Sequence, residues 1–193
     1  PQDVLSFVEG ELETSQWRNV IASGVFLHQH ELHATPRYYK NKLGYAILTP
    51  LAFETPQGTQ YVMVNRGWVD RTKKEASTRQ AGNTADTVTV EGAIRISFKQ
   101  KTFTPNNRPD LNVWLWYDLP AMGKATGLPL LPILIDATAI KTKSGEVLKD
   151  TPLPFPVEIK IRNDHQGYAI TWFLIGLTAV GVYLAYYMEI RVR

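Results

Sequence analysis

The sequence predicts a mainly β domain outside the membrane, followed by a C-terminal transmembrane α-helix. Residues 1–163 contain apolar runs of strand length separated by turn residues, which is typical of an antiparallel sheet or a partly closed barrel. Two stretches in this part have helix signals. The segment from Tyr168 to Tyr187 contains no formal charge. We therefore predict a β-rich domain with two short helices over 1–163, a transmembrane helix over 164–188 and a tail over 189–193.

The clearest strand is DTVTVEGAIRIS, in which Val88, Val90, Ile94 and Ile96 share one face. Polar side chains fill the alternate positions, and this period of two indicates a half-buried strand. The segments YAILTPLAFE and TQYVMVNRGWV flank the turn residues 55–58 (TPQG) and predict a hairpin. WRNVIASGVFLH, LPILIDATAI and PVEIKI are the further predicted strands.

The two short helices are predicted from their capping residues. Thr72 and Glu75 have the spacing of a capping box before EASTRQ. Asp118 precedes LPAMGKAT, where Pro120 suits the first turn and Gly127 suits the end of a helix.

The uncharged C-terminal segment has the length of a membrane span. Its twenty residues would form a helix of about 30 Å, which matches the hydrocarbon core of a bilayer. Tyrosines mark both ends, as aromatic residues do at membrane interfaces. The alternative is a buried core helix. Arg191 and Arg193 follow the span while Lys160 and Arg162 precede it, so charge alone leaves the orientation open.

The composition excludes several classes of site. The formal net charge is +3, and basic and acidic residues are interspersed, which argues against a nucleic-acid partner. The absence of cysteine excludes disulfides, thiolate metal sites and cysteine nucleophiles, and it argues against a copper carrier. Because the sequence starts at Pro1 without a methionine, we expect a processed or truncated chain.

Two candidate sites lie in the β domain. HQHELH places His28, His30 and His33 close together, which suits a metal site if the first two share a strand face; the alternative is a solvated turn. Arg66 ends a strand and could bind carboxylates, including the propionates of a ligand. Its alternative role is an internal ion pair with Asp118 or Asp136, covered by the Trp68 ring.

The sequence contains one pair of tryptophans that could form a stacking site and lacks the common catalytic motifs. Trp114 and Trp116 share a face in VWLWYD, where they could stack on a flat ligand or fill a core. The sequence has no nucleophile elbow, phosphate-binding loop or dinucleotide fingerprint. We therefore predict that the protein is not an enzyme.

His165 is the candidate of greatest interest. It lies three residues before the uncharged segment, where an ionisable side chain indicates function. Neutral imidazole is an axial ligand of haem iron. His165 and Trp172 are two helical turns apart on one face, about 10.5 Å along the axis, so a flat macrocycle could contact both. The alternative is an interfacial anchor in the lipid headgroups.

With these residues in view, the chain resembles the Surfeit locus protein 1 (Surf/Shy) family of cytochrome c oxidase assembly factors. The similarity runs in order through nearly the whole sequence. It is carried by Gly24, Phe26, Arg37, Gly44, Tyr45, Thr49, Pro50, the segment VNRGWV at 64–69, Phe103, Pro105, Asn107, Pro109, Asn112, Trp114, Asp118, Met122, Ile135, Asp136, Ala137, Asn163, His165, Tyr168, Thr171 and Trp172.

The resemblance implies an architecture and a function. It implies a second membrane helix upstream of Pro1, a domain facing the periplasm or the intermembrane space, and a C-terminus inside. It also implies delivery of haem a to the catalytic subunit of the oxidase, alongside other assembly factors, with His165 and Trp172 contacting the haem. We expect His165 to ligate the iron, Asp164 to orient it, and Arg66 to contact a propionate. Of the two membranes, the bacterial inner membrane is favoured over the mitochondrial one.

Two positions depart from the family pattern. Asp70 replaces the usual proline after Trp-Val, and Tyr117 replaces the arginine often found before the aspartate of W-x-x-x-D. The rival interpretation is an interaction protein that stabilises an oxidase intermediate or remains as an accessory subunit without holding haem. Gly181 and Ala185 have the small-xxx-small spacing that allows close helix packing and would serve such a role.

Overall fold

The chain divides into two compact units, Pro1–Val157 and Glu158–Arg193. The computed structural model describes residues 2–3, 16–96, 100, 102–148, 152–154 and 165–192. Its strands are β1 (Gln2–Asp3), β2 (Asn19–Phe26), β3 (Leu32–Tyr39), β4 (Lys42–Thr55), β5 (Gly58–Asp70), β6 (Val88–Ile96), β7 (Val113–Trp114) and β8 (Leu130–Thr142). Its α-helices are α1 (Leu119–Thr126) and α2 (His165–Val192), and 3₁₀ turns cover His28–His30, Arg71–Lys73, Ala76–Gly82 and Pro109–Leu111.

Five of the strands form a closed ring. The pairs β2–β6, β6–β8, β5–β4 and β4–β2 are antiparallel, and β8 pairs with β5 in parallel. The ring closes over a short seam, where Val25 pairs with Ala52 and Phe26 with Leu51. A Cβ on Gly24 would lie 2.2 Å from the carbonyl oxygen of Ala52, so only glycine permits this approach. The predicted mainly β fold is therefore confirmed, and of its two predicted forms, antiparallel sheet or partly closed barrel, the domain adopts the barrel, with β5 and β8 as a parallel pair.

The predicted strands follow their periodicity. In β6 the even-numbered residues from Val88 to Ile94 are buried and the odd-numbered ones are half-exposed. The β4–β5 hairpin turns where predicted, with Thr55 paired to Gly58. The predicted strand PVEIKI lies outside the described residues.

Two apolar clusters stabilise the domain. The barrel interior is filled by inward-facing side chains of the five ring strands: Val20, Ala22, Phe26, Leu51, Phe53, Val62, Val64, Val88, Val90, Ile94, Leu131, Ile133, Ile135, Ala137 and Ile140. A second cluster joins α1 to strands β3, β4, β5, β7 and β8: Leu32, Ala34, Ala46, Leu48, Met63, Trp114, Tyr117, Leu119, Met122 and Leu134. Strands shared by the two clusters contribute side chains to both, because successive side chains point to opposite faces of a strand.

The helix predictions have different outcomes. In α1, the Asp118 side chain accepts a hydrogen bond from the Ala121 amide, and Gly127 ends the helix at a φ of 70°, as predicted. The capping box at Thr72 is wrong, because Asp70 accepts from the Thr72 amide and two 3₁₀ turns replace the helix. The second turn breaks at Arg79, whose guanidinium instead binds backbone carbonyls of the preceding residues.

The C-terminal unit contains the helix α2. Its segment from His165 to Arg191 is long and apolar enough to cross a membrane, and its side chains are exposed throughout. A buried core helix would pack its apolar side chains against the protein, so the membrane-span interpretation accounts for this helix better.

Candidate functional site

The segment Asn65-Arg66-Gly67-Trp68 at the end of β5 organises one end of the barrel. Val62 and Val64 face the barrel interior, and Arg66 continues that row by alternation. Its side chain therefore enters the barrel end, where the guanidinium lies 4.9 Å from the centre of the Phe26 ring. Asn65 faces the other way and donates to Asp136 Oδ1 at 2.7 Å.

Arg66 is fully buried and held by groups of the protein. Its Nη2 donates to the Gly82 carbonyl at 2.5 Å, and its Nη1 donates to Asn83 Oδ1 and His28 Nδ1, each at 3.3 Å. The nearest carboxylate is Glu31, whose Oε2 lies 4.0 Å from Nη1. The predicted ion-pair partners were therefore wrong, because Asp118 caps α1 and Asp136 pairs with Arg95.

Glu31 and Arg79 complete this cluster of buried charges. Arg79 Nη2 donates to Glu31 Oε1 at 2.6 Å, and Nη1 donates to Oε2 at 3.3 Å. His33 Nε2 lies 3.0 Å from Glu31 Oε1 and donates to it. One carboxylate thus serves two buried guanidiniums, and the remaining positive charge is stabilised by carbonyls and the Phe26 ring. We name Glu31, Arg66 and Arg79 the charge cluster.

The surroundings shift the pKa values of these groups. Burial lowers the pKa of Arg66 to about 10, against the opposing effect of Glu31. Burial alone would raise the pKa of Glu31, but hydrogen bonds from His33 and Arg79 outweigh it and lower the value. Burial also lowers the pKa of His28, and the charge of Arg66 acts in the same direction. A neutral His28 can donate from Nε2 to the Thr84 carbonyl and accept from Arg66 at Nδ1.

The histidines of HQHELH therefore have different contacts and do not form one metal site. His28 and His30 lie in a 3₁₀ turn rather than on a strand, and the turn is not simply solvated, because His28 and His33 contact the charge cluster. Among the described residues, no group of three or more His, Cys, Asp or Glu side chains could hold a metal ion. Trp114 is fully buried in the second apolar cluster, as the core-filling alternative predicted.

The two departures from the family pattern have structural roles. Asp70 accepts hydrogen bonds at 3.0 Å from both the amide and the hydroxyl of Thr72, and these bonds lower the pKa of its carboxyl. Tyr117 is buried, and its ring lies within cation–π distance of Arg37 and Arg95, at 5.3 Å and 5.7 Å.

Gly67 and Trp68 anchor the segment that follows the barrel. Trp68 and Leu153 exchange two backbone hydrogen bonds, at 2.7 and 2.8 Å. Gly67 has a φ of 122°, and a Cβ there would lie 2.0 Å from the Leu153 carbonyl oxygen. Trp68 Nε1 donates to the Arg37 carbonyl at 3.1 Å. The chain is thus fixed to β5 twelve residues before α2 begins.

The second candidate site is one face of α2. His165 is the first residue of the helix, and Trp172 follows almost two turns later on the same face. Ala169 lies between them and Gly176 lies one turn beyond, where added atoms would meet nothing within 4 Å. Trp172 is 70% exposed. Tyr168 borders the same face, so the imidazole and the indole lie on either side of Ala169 with a tyrosine at the edge, an arrangement that could hold a flat macrocycle.

The predicted site residues fall in different parts of the chain. Arg66 belongs to the first unit, His165 and Trp172 belong to α2, and Asp164 lies outside the described residues. Sequence reasoning missed Glu31 and Arg79. The available signal was the position of Arg66, which alternation places on the inward-facing side of β5 after Val62 and Val64. A guanidinium buried there requires a buried counter-charge.

Comparisons with known proteins find one family. The sequence model of the SURF1 family matches residues 2–177. A SURF1-like protein of Monosiga brevicollis is 32% identical over 184 residues, which cover 90% of this chain and 67% of that protein. Surfeit locus protein 1 of Homo sapiens is 33% identical over 187 residues, covering 90% and 59%, and that of Rattus norvegicus is 32% identical over 195 residues, covering 94% and 60%. The chain thus spans about three-fifths of the length of the mammalian relatives.

Proposed function

Because the chain belongs to the SURF1 family, we propose that it is a membrane-bound assembly factor for haem-copper cytochrome c oxidase. In this proposal it binds haem a and assists insertion into the catalytic subunit, without enzymatic turnover. The observation that carries the haem assignment is the face of α2, where His165 and Trp172 flank Ala169 and lie exposed.

The residues of that face have distinct roles in the proposal. His165 supplies an imidazole at the start of the helix, and the Trp172 indole provides a flat apolar surface almost two turns further along it. When bound, haem a would supply an iron centre, and the imidazole of His165 would be its protein ligand. A single histidine on an open helix face permits release, which a delivery protein requires. Asp164 is proposed to orient His165 as an outer hydrogen-bond partner.

The charge cluster favours a structural role for Arg66. Its guanidinium is fully buried and bound to Gly82, Asn83 and His28, so contact with a propionate would require these bonds to break. We therefore assign Arg66 to stabilising the barrel end, and leave the haem contacts of the proposal to α2.

The test is the haem content of the complete protein. The protein is purified in mild detergent from cells that make haem a, and reduced-minus-oxidised absorption spectra are recorded. We expect His165→Ala to lose bound haem while Gln166→Ala, its neighbour on another helix face, retains it. Trp172→Leu should weaken retention, and Phe173→Leu serves as its matched control.

The rival role without haem makes different predictions. If neither the wild type nor His165→Ala carries haem while both bind the oxidase catalytic subunit, the haem assignment is wrong. Under that rival, Gly181→Leu should impair oxidase assembly, because Gly181 and Ala185 allow close packing of a partner helix. Oxidase assembly and haem content are therefore measured in the same strains.

A further inference from the structure

Basic residues from two segments that are distant in the sequence lie together at one end of the barrel. The segments are residues 38–45, at the turn between β3 and β4, and residues 70–75, after β5. They carry five cations against two carboxylates, Asp70 and Glu75, so their excess of three equals the formal net charge of the whole chain. We name the five cations the basic end: Lys40, Lys42, Arg71, Lys73 and Lys74.

The fold brings these two segments together through the β4–β5 ladder. Gly44 pairs with Asp70, which places Lys42 beside the start of the Arg71–Lys73 turn. The Lys74 ammonium lies 5.6 Å from the centre of the Tyr45 ring. Lys40, Lys42, Arg71 and Lys73 are exposed, and Lys74 is half-buried.

An exposed aromatic side chain accompanies the basic end. Tyr38, on β3 just before the turn, is 67% exposed, and the neighbouring Tyr39 packs against Trp68 with ring centres 5.4 Å apart. Tyrosine with flanking lysines is typical of surfaces that meet lipid headgroups, where an apolar ring and a polar hydroxyl are both accommodated.

The last residues that the structure describes before α2, 152–154, lie next to the basic end. Leu153 is bound to Trp68, two residues before Asp70, and Pro152, Leu153, Asp70 and Lys73 line one groove of about 370 Å³. Ten residues separate Pro154 from His165, and ten extended residues reach about 35 Å at most. If α2 crosses a bilayer, this chain length limits how far Leu153 can lie from the headgroups and raises the effective concentration of the basic end there.

We propose that the basic end is a membrane-contact surface that rests on anionic phospholipid headgroups. The proposal needs α2 to cross a bilayer but is independent of haem binding. Each lysine or arginine brought to an anionic surface raises occupancy about fivefold. The contact would fix which face of the barrel is turned away from the lipid and available to a protein partner.

The test places a fluorophore at either end of the barrel, which is possible because the chain has no cysteine. Thr72→Cys marks the basic end and keeps its cations and Tyr38 in place. Gln57→Cys marks the opposite hairpin turn, roughly 40 Å away along β5. The full chain is reconstituted in vesicles of phosphatidylcholine alone or with phosphatidylglycerol, and a quencher is attached to lipid headgroups.

We expect strong quenching of the Thr72→Cys label only in vesicles with phosphatidylglycerol and at low salt. It should fade as the screening length falls from about 10 Å near 0.1 M salt to about 3 Å near 1 M. Adding Lys42→Gln and Lys73→Gln should lower the contact constant about 25-fold. The Gln57→Cys label should stay unquenched in every vesicle.

Other outcomes would overturn the proposal. Equal quenching of the two labels means that the basic end has no preferred contact with lipid. Quenching that persists in phosphatidylcholine alone, or at high salt, means that anionic headgroups do not drive the contact. Absence of quenching in all vesicles assigns the basic end to something else, such as an acidic protein surface. Unchanged unfolding curves for the lysine variants confirm that they fold.

Discussion

Replacing Glu31 with Gln removes the only carboxylate from the charge cluster while conserving the shape of the side chain. Glu31 contacts Arg79 through both oxygens, at 2.6 and 3.3 Å, and approaches Arg66 at 4.0 Å. The three side chains are 6%, 2% and 0% exposed. Water therefore cannot solvate the two guanidiniums that lose their counter-ion. They remain buried, with backbone carbonyls as their main partners.

The expected cost follows from this burial. Breaking a buried ion pair by removing one partner costs about 3–5 kcal/mol, because the other charge remains desolvated. For a domain of this size, about 1 kcal/mol lowers Tm by roughly 2–4 °C. We therefore expect Tm of the β domain to fall by about 10 °C in Glu31→Gln.

The assay is thermal unfolding of the purified chain, followed by near-ultraviolet circular dichroism. This signal is strongest for aromatic residues held in fixed surroundings, such as the fully buried Trp114. The matched control is Glu54→Gln, an exposed carboxylate on β4 that should change stability by less than about 1 kcal/mol. Equal effects of the two substitutions would refute the reasoning, because they would show that the charge cluster is solvated.

Three further predictions concern the barrel and α1. Gly24→Val should destabilise the domain by about 3 kcal/mol, because its Cβ would lie 2.2 Å from the Ala52 carbonyl oxygen. Chemical unfolding measures this change, and a loss below about 1 kcal/mol would contradict the close approach of β2 and β4 at the seam. The lowered pKa of His28 keeps its ring neutral in the folded state, so stability is retained above pH 6.5 and lost as pH falls below it; His28→Gln should flatten that part of a Tm–pH profile. Asp118→Ala should cost about 1 kcal/mol in urea unfolding through loss of the α1 cap, whereas no change would mean that the cap is redundant.

The strands and α1 could be predicted because their signals are local. Alternation in β6 and the turn at 55–58 depend on neighbouring residues, and so does the cap at Asp118. Closure of the ring could not be predicted. It depends on two residue pairs between β2 and β4 and on the space that Gly24 leaves there.

The charge cluster shows why local signals fail at the candidate sites. The spacing of Thr72 and Glu75 suits a capping box, but Arg79 folds back onto the Lys73 and Lys74 carbonyls. That arrangement is stabilised by Glu31, which is distant in the sequence. By contrast, His165 and Trp172 could be placed on one face in advance, because a helix sets their relation by itself.

The cyclic strand order also bears on how the protein is made. Of the ring pairs, β4–β5 is the one joined by a tight turn, whereas β2–β6 and β5–β8 unite residues from opposite halves of the domain, such as Val20 with Gly92 and Val64 with Ile135. High contact order slows folding, so we expect the β4–β5 hairpin to form before the long-range pairs. During synthesis, water cannot be excluded from the barrel interior until β8, which ends at Thr142, has been made. The helix α2 follows from His165. If α2 inserts into a membrane as it is made, folding of the barrel and insertion of α2 overlap in time, and the apolar faces of β2 and β6 remain exposed until the barrel closes.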